Sequence, residues 1–219
     1  MLLLVVTSYR SSWGQLLHFE NLLVIHALII GFSRSARALS VDGRRPLAAT
    51  DQADTDAVYG WPVRLAALVT VSTYVLAGTA KLRYGGLDWV LGDSLRNHVA
   101  YSAVRLELLG GTPSPLAAPL VERAWIFPPL AFTTVVLELG APIALFGRRK
   151  RNAWVVGAWL FHAGVAAAMF VVFPYPLFLV AFAPLFELER IAERFSAFRR
   201  NRRSAAADTA VPGLPPRRP

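Results

Sequence analysis

The chain has 219 residues, 55% of them hydrophobic and only 17% charged, and its mean hydropathy is +0.44. That is too apolar for an ordinary soluble domain of this length and predicts one compact membrane domain, with apolar runs long enough for spans of about 20 residues each. The net charge of +9 does not point to nucleic acid, because the basic residues lie between and after the apolar runs, and the absence of cysteine excludes disulfides, thiolate metal sites and cysteine nucleophiles.

Met1 to Val6 is apolar but lacks the basic start and the small-residue cleavage site of a signal peptide. It reads as the end of a helix whose beginning lies outside this chain. Thr7 to Gln15 follows as a loop with interfacial Arg10 and Trp13. Leu16 to Phe32 is the first full apolar segment and carries His18, Glu20, Asn21 and His26. His18 and Asn21 share a helical face. His18 and His26 are about 80° out of line at ~100° per residue, so they form no obvious ligand pair. Polar groups in a spanning helix face the bundle interior, where they either carry function or make interhelical hydrogen bonds. Both readings stand for His18; His26 is read as a packing group.

Arg34 to Gly60 is polar and reads as a loop, with a turn at Ser40-Val41-Asp42-Gly43. The second full span is Trp61 to Ala80, with Pro62 placed at its start, where a missing N–H costs nothing. Tyr74, Gly78 and Lys81 recur at i, i+4 and i+7 and stack on one face. Gly78 lets a neighbouring helix or a ligand approach the backbone just below the amine. Lys81 is the only lysine in the first two thirds of the chain. It is either an amine held at the mouth of a helix bundle or a lysine snorkelling at a membrane boundary.

The glycines and prolines of residues 83–123 predict turns, with one or two short amphipathic helices between Val90 and Leu109 lying on the membrane. The next span is Ala124 to Phe146. It holds Glu138, and Pro142 four residues on would free the carbonyl of residue 138 and kink the helix. This is either a polar site facing the bundle interior or a kink patched by neighbouring groups. Arg148-Arg149-Lys150-Arg151 reads as a basic loop and Ala153 to Val172 as a span with His162 near its middle. Phe173-Pro174-Tyr175-Pro176 breaks the helix, and Leu177 to Phe186 is apolar but short. An Arg-rich amphipathic stretch and a Ser/Ala/Pro-rich end follow. The expected fold is all-α: a polytopic transmembrane helix bundle of about five to six spans over residues 1–190, with short amphipathic helices in the outer loop. Residues 191–219 are expected to form a basic, disordered cytoplasmic tail.

Orientation follows from charge. With the 148–151 segment on the cytoplasmic side, alternation places 17 of the 23 basic residues inside. The C-terminus is then cytoplasmic, Lys81 lies toward the outer face, and the expected location is the bacterial inner membrane.

Three groups of residues resemble a known family. One is Tyr74-x-x-Ala77-Gly78-x-x-Lys81-Leu82 followed by Trp89-Val90-x-Gly92-x-Ser94. Another is Trp13 and His18 followed by Ser40-Val41-Asp42-Gly43. The third is Glu138-Leu139-x-x-Pro142. Over roughly residues 10 to 190 the chain resembles the HTTM (horizontally transferred transmembrane) domain of vitamin K-dependent gamma-carboxylases and many bacterial proteins. The resemblance implies that Lys81 matches the base that deprotonates vitamin K hydroquinone and that His18 matches the histidine assisting it. The carboxylases also carry a large lumenal domain that binds the glutamate-bearing substrate; here a short basic tail follows. A more distant likeness is to small DoxX-type four-helix membrane proteins, which have a similar Ala-Gly-x-x-Lys-Leu turn and are linked to quinone and redox chemistry.

Two functions follow as expectations. The first is proton or redox chemistry on a quinone-like or vitamin K-like lipid, with Lys81 and His18 as catalytic candidates and Tyr74, Gly78, Trp89, Glu138 and His162 as binding candidates. The second is a non-catalytic membrane accessory or immunity protein that binds a partner or a lipid. No metal site is expected, since there is no cysteine pair, haem motif or His-x-x-x-His. Lys81 is expected in a cavity between its own helix and the spans carrying His18, Glu138 or His162. Counting helical rise to Glu138 from the inner end of its span predicts no direct contact with Lys81 unless the helix is tilted or kinked. A salt bridge between them would favour a structural role, and a histidine-lined pocket a chemical one.

Overall fold

A computed structural model describes residues 5–6, 21–33 and 52–187, with residues 52–59 as backbone only. By packing, the chain divides into two units, Met1–Leu185 and Phe186–Pro219. Only residues 186 and 187 of the second are described, so the expected disordered tail lies outside the described residues.

Among the described residues the first unit is helical, with no strand. Its α-helices are α1 (Asn21–Phe32), α2 (Gln52–Gly85), α3 (Asp88–Leu91), α4 (Ser94–Leu108), α5 (Ala117–Glu122), α6 (Phe127–Leu139), α7 (Arg148–Met169) and α8 (Pro174–Leu177). Three 3₁₀ stretches, Ala124–Ile126, Ala141–Leu145 and Val180–Leu185, fill gaps between them. Two helical segments, Gly60–Gly85 and Arg148–Met169, are long and apolar enough to cross a membrane; Asn21–Phe32 and Ala124–Leu139 are shorter apolar helices.

The long helix α2 is the axis of the unit. It packs against α1, α6 and the 3₁₀ stretches 141–145 and 180–185, and α7 packs on 141–145 and α6. The core between these elements is aromatic. Tyr74 meets the Trp154 ring edge-on at 4.9 Å, and Trp154 meets Phe182 at 5.8 Å. Phe182 is fully buried. The Trp154 indole N–H donates to the Leu137 carbonyl at 2.9 Å, so the ring joins α7 to α6 with its polar atom satisfied.

Several boundaries differ from the sequence reading. Residues 52–60 are the first turns of α2, so Pro62 lies inside the helix and not at its start. The 148–151 segment is the first turn of α7, not a loop. The expected span 124–146 is a thirteen-residue α-helix between two 3₁₀ stretches. Gly140 caps α6, and Pro142, which has no N–H to continue the α ladder, begins the tighter turn; the helix therefore stops where a kink was expected.

His26 is a packing group. Its Nε2 donates to the Ala66 carbonyl at 3.0 Å, which leaves Nδ1 to accept from the Tyr175 hydroxyl at 2.7 Å. The Thr70 hydroxyl donates to the Ala181 carbonyl at 3.0 Å beside it. Both ring nitrogens are satisfied and α1, α2, α8 and the 180–185 stretch are stitched together.

Candidate functional site

The site is built on one face of α2. Tyr74, Gly78 and Lys81 all point toward α6 and α7. At Gly78 the contact is with α6: a Cβ there would lie 3.0 Å from Glu138 Cβ and from Leu139 Cγ and Cδ2. The missing side chain therefore sets how closely the two helices approach.

Lys81 Nζ lies 2.6 and 2.8 Å from the two carboxylate oxygens of Glu138. This corrects the expectation that the two would not touch. Two physical reasons account for the error. The rise count assumed a continuous α-helix down to residue 146, but α6 ends at Leu139, so the assumed depth of Glu138 was wrong. Side chains also lean toward the N-terminus of their own helix. Lys81, three residues or about 4.5 Å beyond Gly78 along the axis, leans back to the level where Glu138 Cβ packs. The Lys81 side chain is 23% exposed and that of Glu138 4%, so the carboxylate is the buried partner and depends on the lysine for its charge balance.

Trp89 completes the mouth. Its ring centroid lies 5.3 Å from Lys81 Nζ, within cation–π range. The chain reaches this position through Gly85 and Gly86. Gly86 has φ +57°, and a Cβ at Gly85 would lie 2.8 Å from Trp89 Cβ. Only glycine at both positions lets α3 fold back so tightly.

Beneath the ion pair is a cavity of about 460 Å³ lined by Tyr74, Lys81, Trp89, Glu138, Phe161, His162 and Phe173, among others. Tyr74 and His162 are joined, hydroxyl to Nε2, at 2.8 Å. Four of the binding candidates, Tyr74, Trp89, Glu138 and His162, thus line one cavity with Lys81; Glu138 and Trp89 lie against the amine itself, while Gly78 sets the spacing behind them. His18 lies outside the described residues. Sequence reasoning missed His98 and Thr134, which also line the cavity. Its one usable signal for His98 was the residue type itself, one of four histidines in the chain, on an amphipathic helix read only as surface. Among the described residues no group of three or more His, Asp or Glu is placed to hold a metal ion.

Two helices long and apolar enough to cross a membrane stand beside a largely apolar cavity edged by an ion pair, and the family match assigns the chain to the membrane proteins. The chain belongs to the HTTM family: the model of the HTTM domain matches residues 11–189. No curated protein and no solved structure matches the chain.

Proposed function

We propose that the protein binds a quinone-like lipid, of which vitamin K is one chemical type, in the cavity under Lys81 and Glu138. The observation that supports this reading is the make-up of the cavity. Its walls are largely aliphatic and aromatic, and its polar side chains include an ammonium–carboxylate pair, two histidines, Tyr74 and two threonines. An apolar cavity with a few convergent polar groups is the usual form of a small-molecule site. The ammonium can donate to a ring carbonyl and the carboxylate can accept from a ring hydroxyl, so the pair suits oxidised and reduced rings alike.

The carboxylase resemblance would make Lys81 a base. A lysine salt-bridged to both oxygens of a carboxylate is first a hydrogen-bond donor, so the proposal places binding before proton transfer. The same ion pair favours a second reading, a non-catalytic accessory or immunity protein in which Lys81 and Glu138 clamp α2 to α6. Purification in mild detergent followed by mass spectrometry of the bound lipid separates the two. A quinone in near-stoichiometric amount is expected, and recovery of phospholipid alone would overturn the binding proposal.

We further propose a multi-span topology in the bacterial inner membrane with the 148–151 segment and the C-terminus in the cytoplasm, from the distribution of the basic residues. Reporter fusions after Arg151 and after Pro219 should both give cytoplasmic signals. A periplasmic signal from either reverses the orientation and moves Lys81 to the inner face.

A further inference from the structure

His162 is 8% exposed, yet it lines the cavity. Its Nε2 is occupied by the Tyr74 hydroxyl at 2.8 Å, whereas Nδ1 is buried and has no hydrogen-bond partner. The rings of Phe161 and Phe173 flank it at 5.1 and 5.2 Å and bring no polar atom. An orphaned ring nitrogen deep in an apolar wall is costly, and proteins rarely leave one without a use. His26 is the contrast in the same unit, with both of its nitrogens paired to protein groups.

Resting on the reading of the cavity as a lipid site, we propose that His162 Nδ1 is a second ligand anchor, which takes an oxygen of the bound ring, and that Tyr74 is the residue that positions it. The bond to Tyr74 suits the ring to either redox form of a ligand. When the Tyr74 hydroxyl donates to Nε2, Nδ1 carries the proton and donates to a ligand carbonyl. When Nε2–H donates to the Tyr74 oxygen, Nδ1 is free to accept from a ligand hydroxyl. The Lys81 side chain leans back to the level of Gly78, four residues or about 6 Å along the α2 axis from Tyr74. The two anchors therefore stand at different depths, and the ligand class they fit carries oxygens on two sides of its ring, as a 1,4-quinone does. A lipid with a single hydroxyl would satisfy only one of them.

The test uses the full chain in detergent and 2-methyl-1,4-naphthoquinone as probe, with quenching of tryptophan fluorescence as readout, since Trp89 lines the same cavity. His162→Phe should weaken binding by about tenfold or more, the effect of one lost hydrogen bond in an apolar site. His162→Asn, whose amide lies near the Nδ1 position, should remain within about threefold of wild type by the same measure. Equal affinity of His162→Phe and wild type would overturn the second anchor while leaving the lipid site in place. Wild-type protein that takes up no quinone would remove the lipid site and the anchor together. Should His162→Phe fail to fold, ¹⁵N-histidine spectra of the wild-type protein decide. The His162 Nδ1 resonance should move on adding the quinone, and an unmoved resonance at saturation overturns the proposal.

Discussion

Replacing Lys81 with methionine is expected to lower stability by about 3 kcal/mol, because breaking a buried ion pair from one side leaves an uncompensated charge. That charge is the Glu138 carboxylate, whose side chain is 4% exposed and whose two oxygens both bind the lysine. The reverse change should be milder. Glu138→Gln leaves an ammonium on a side chain that is 23% exposed and sits at the cavity mouth. Such a lysine can turn toward water or headgroups, so a loss of about 1 kcal/mol is expected. The double variant Lys81→Met/Glu138→Leu removes both charges and should recover most of what the lysine variant lost. Reversible unfolding in mixed detergent measures all three. If Lys81→Met alone were as stable as wild type, the pair would contribute nothing and the snorkelling reading of Lys81 would stand.

Much of this site was legible in the sequence because helical periodicity is a local property. Tyr74, Gly78 and Lys81 share a face in any α-helix, and they share one here. What covers that face was not legible. The contact with Glu138 depended on where α6 ends, and Gly140 followed by Pro142 ended it several residues earlier than a uniform apolar run suggested. The extent of α2 was misread for the opposite reason. Residues 52–60 are polar enough to look like a loop, yet they hold no residue that forbids a helix. Tyr74 and His162 each stand out within their own segments. Their mutual bond, which occupies one histidine nitrogen and leaves the other buried without a partner, is tertiary information with no counterpart in spacing. His98 was passed over because an amphipathic helix looks the same whether its polar side meets water or the mouth of a cavity.

Gly78 is the position where backbone packing and the ion pair are most tightly coupled, and Gly78→Leu is expected to cost about 3 kcal/mol, the upper range for overpacking a tight site. The first added carbon already lies 3.0 Å from Glu138 Cβ and from two Leu139 carbons. The Leu139 atoms belong to a side-chain end that can rotate away. Glu138 Cβ is fixed to the backbone of α6 and cannot. A leucine must therefore push α6 away from α2, and the displaced helix carries Glu138 away from Lys81. Gly78→Ala separates this wedge effect from helix propensity. Alanine is better than glycine inside a helix by about 1 kcal/mol, which offsets a shift of a few tenths of an ångström, so a near-neutral result is expected. The coupling can then be read directly. In the Lys81→Met/Glu138→Leu background there is no ion pair to rupture, so Gly78→Leu should cost measurably less than in wild type. Equal costs in the two backgrounds would mean that Gly78 governs helix packing alone and has no part in holding the amine and the carboxylate together.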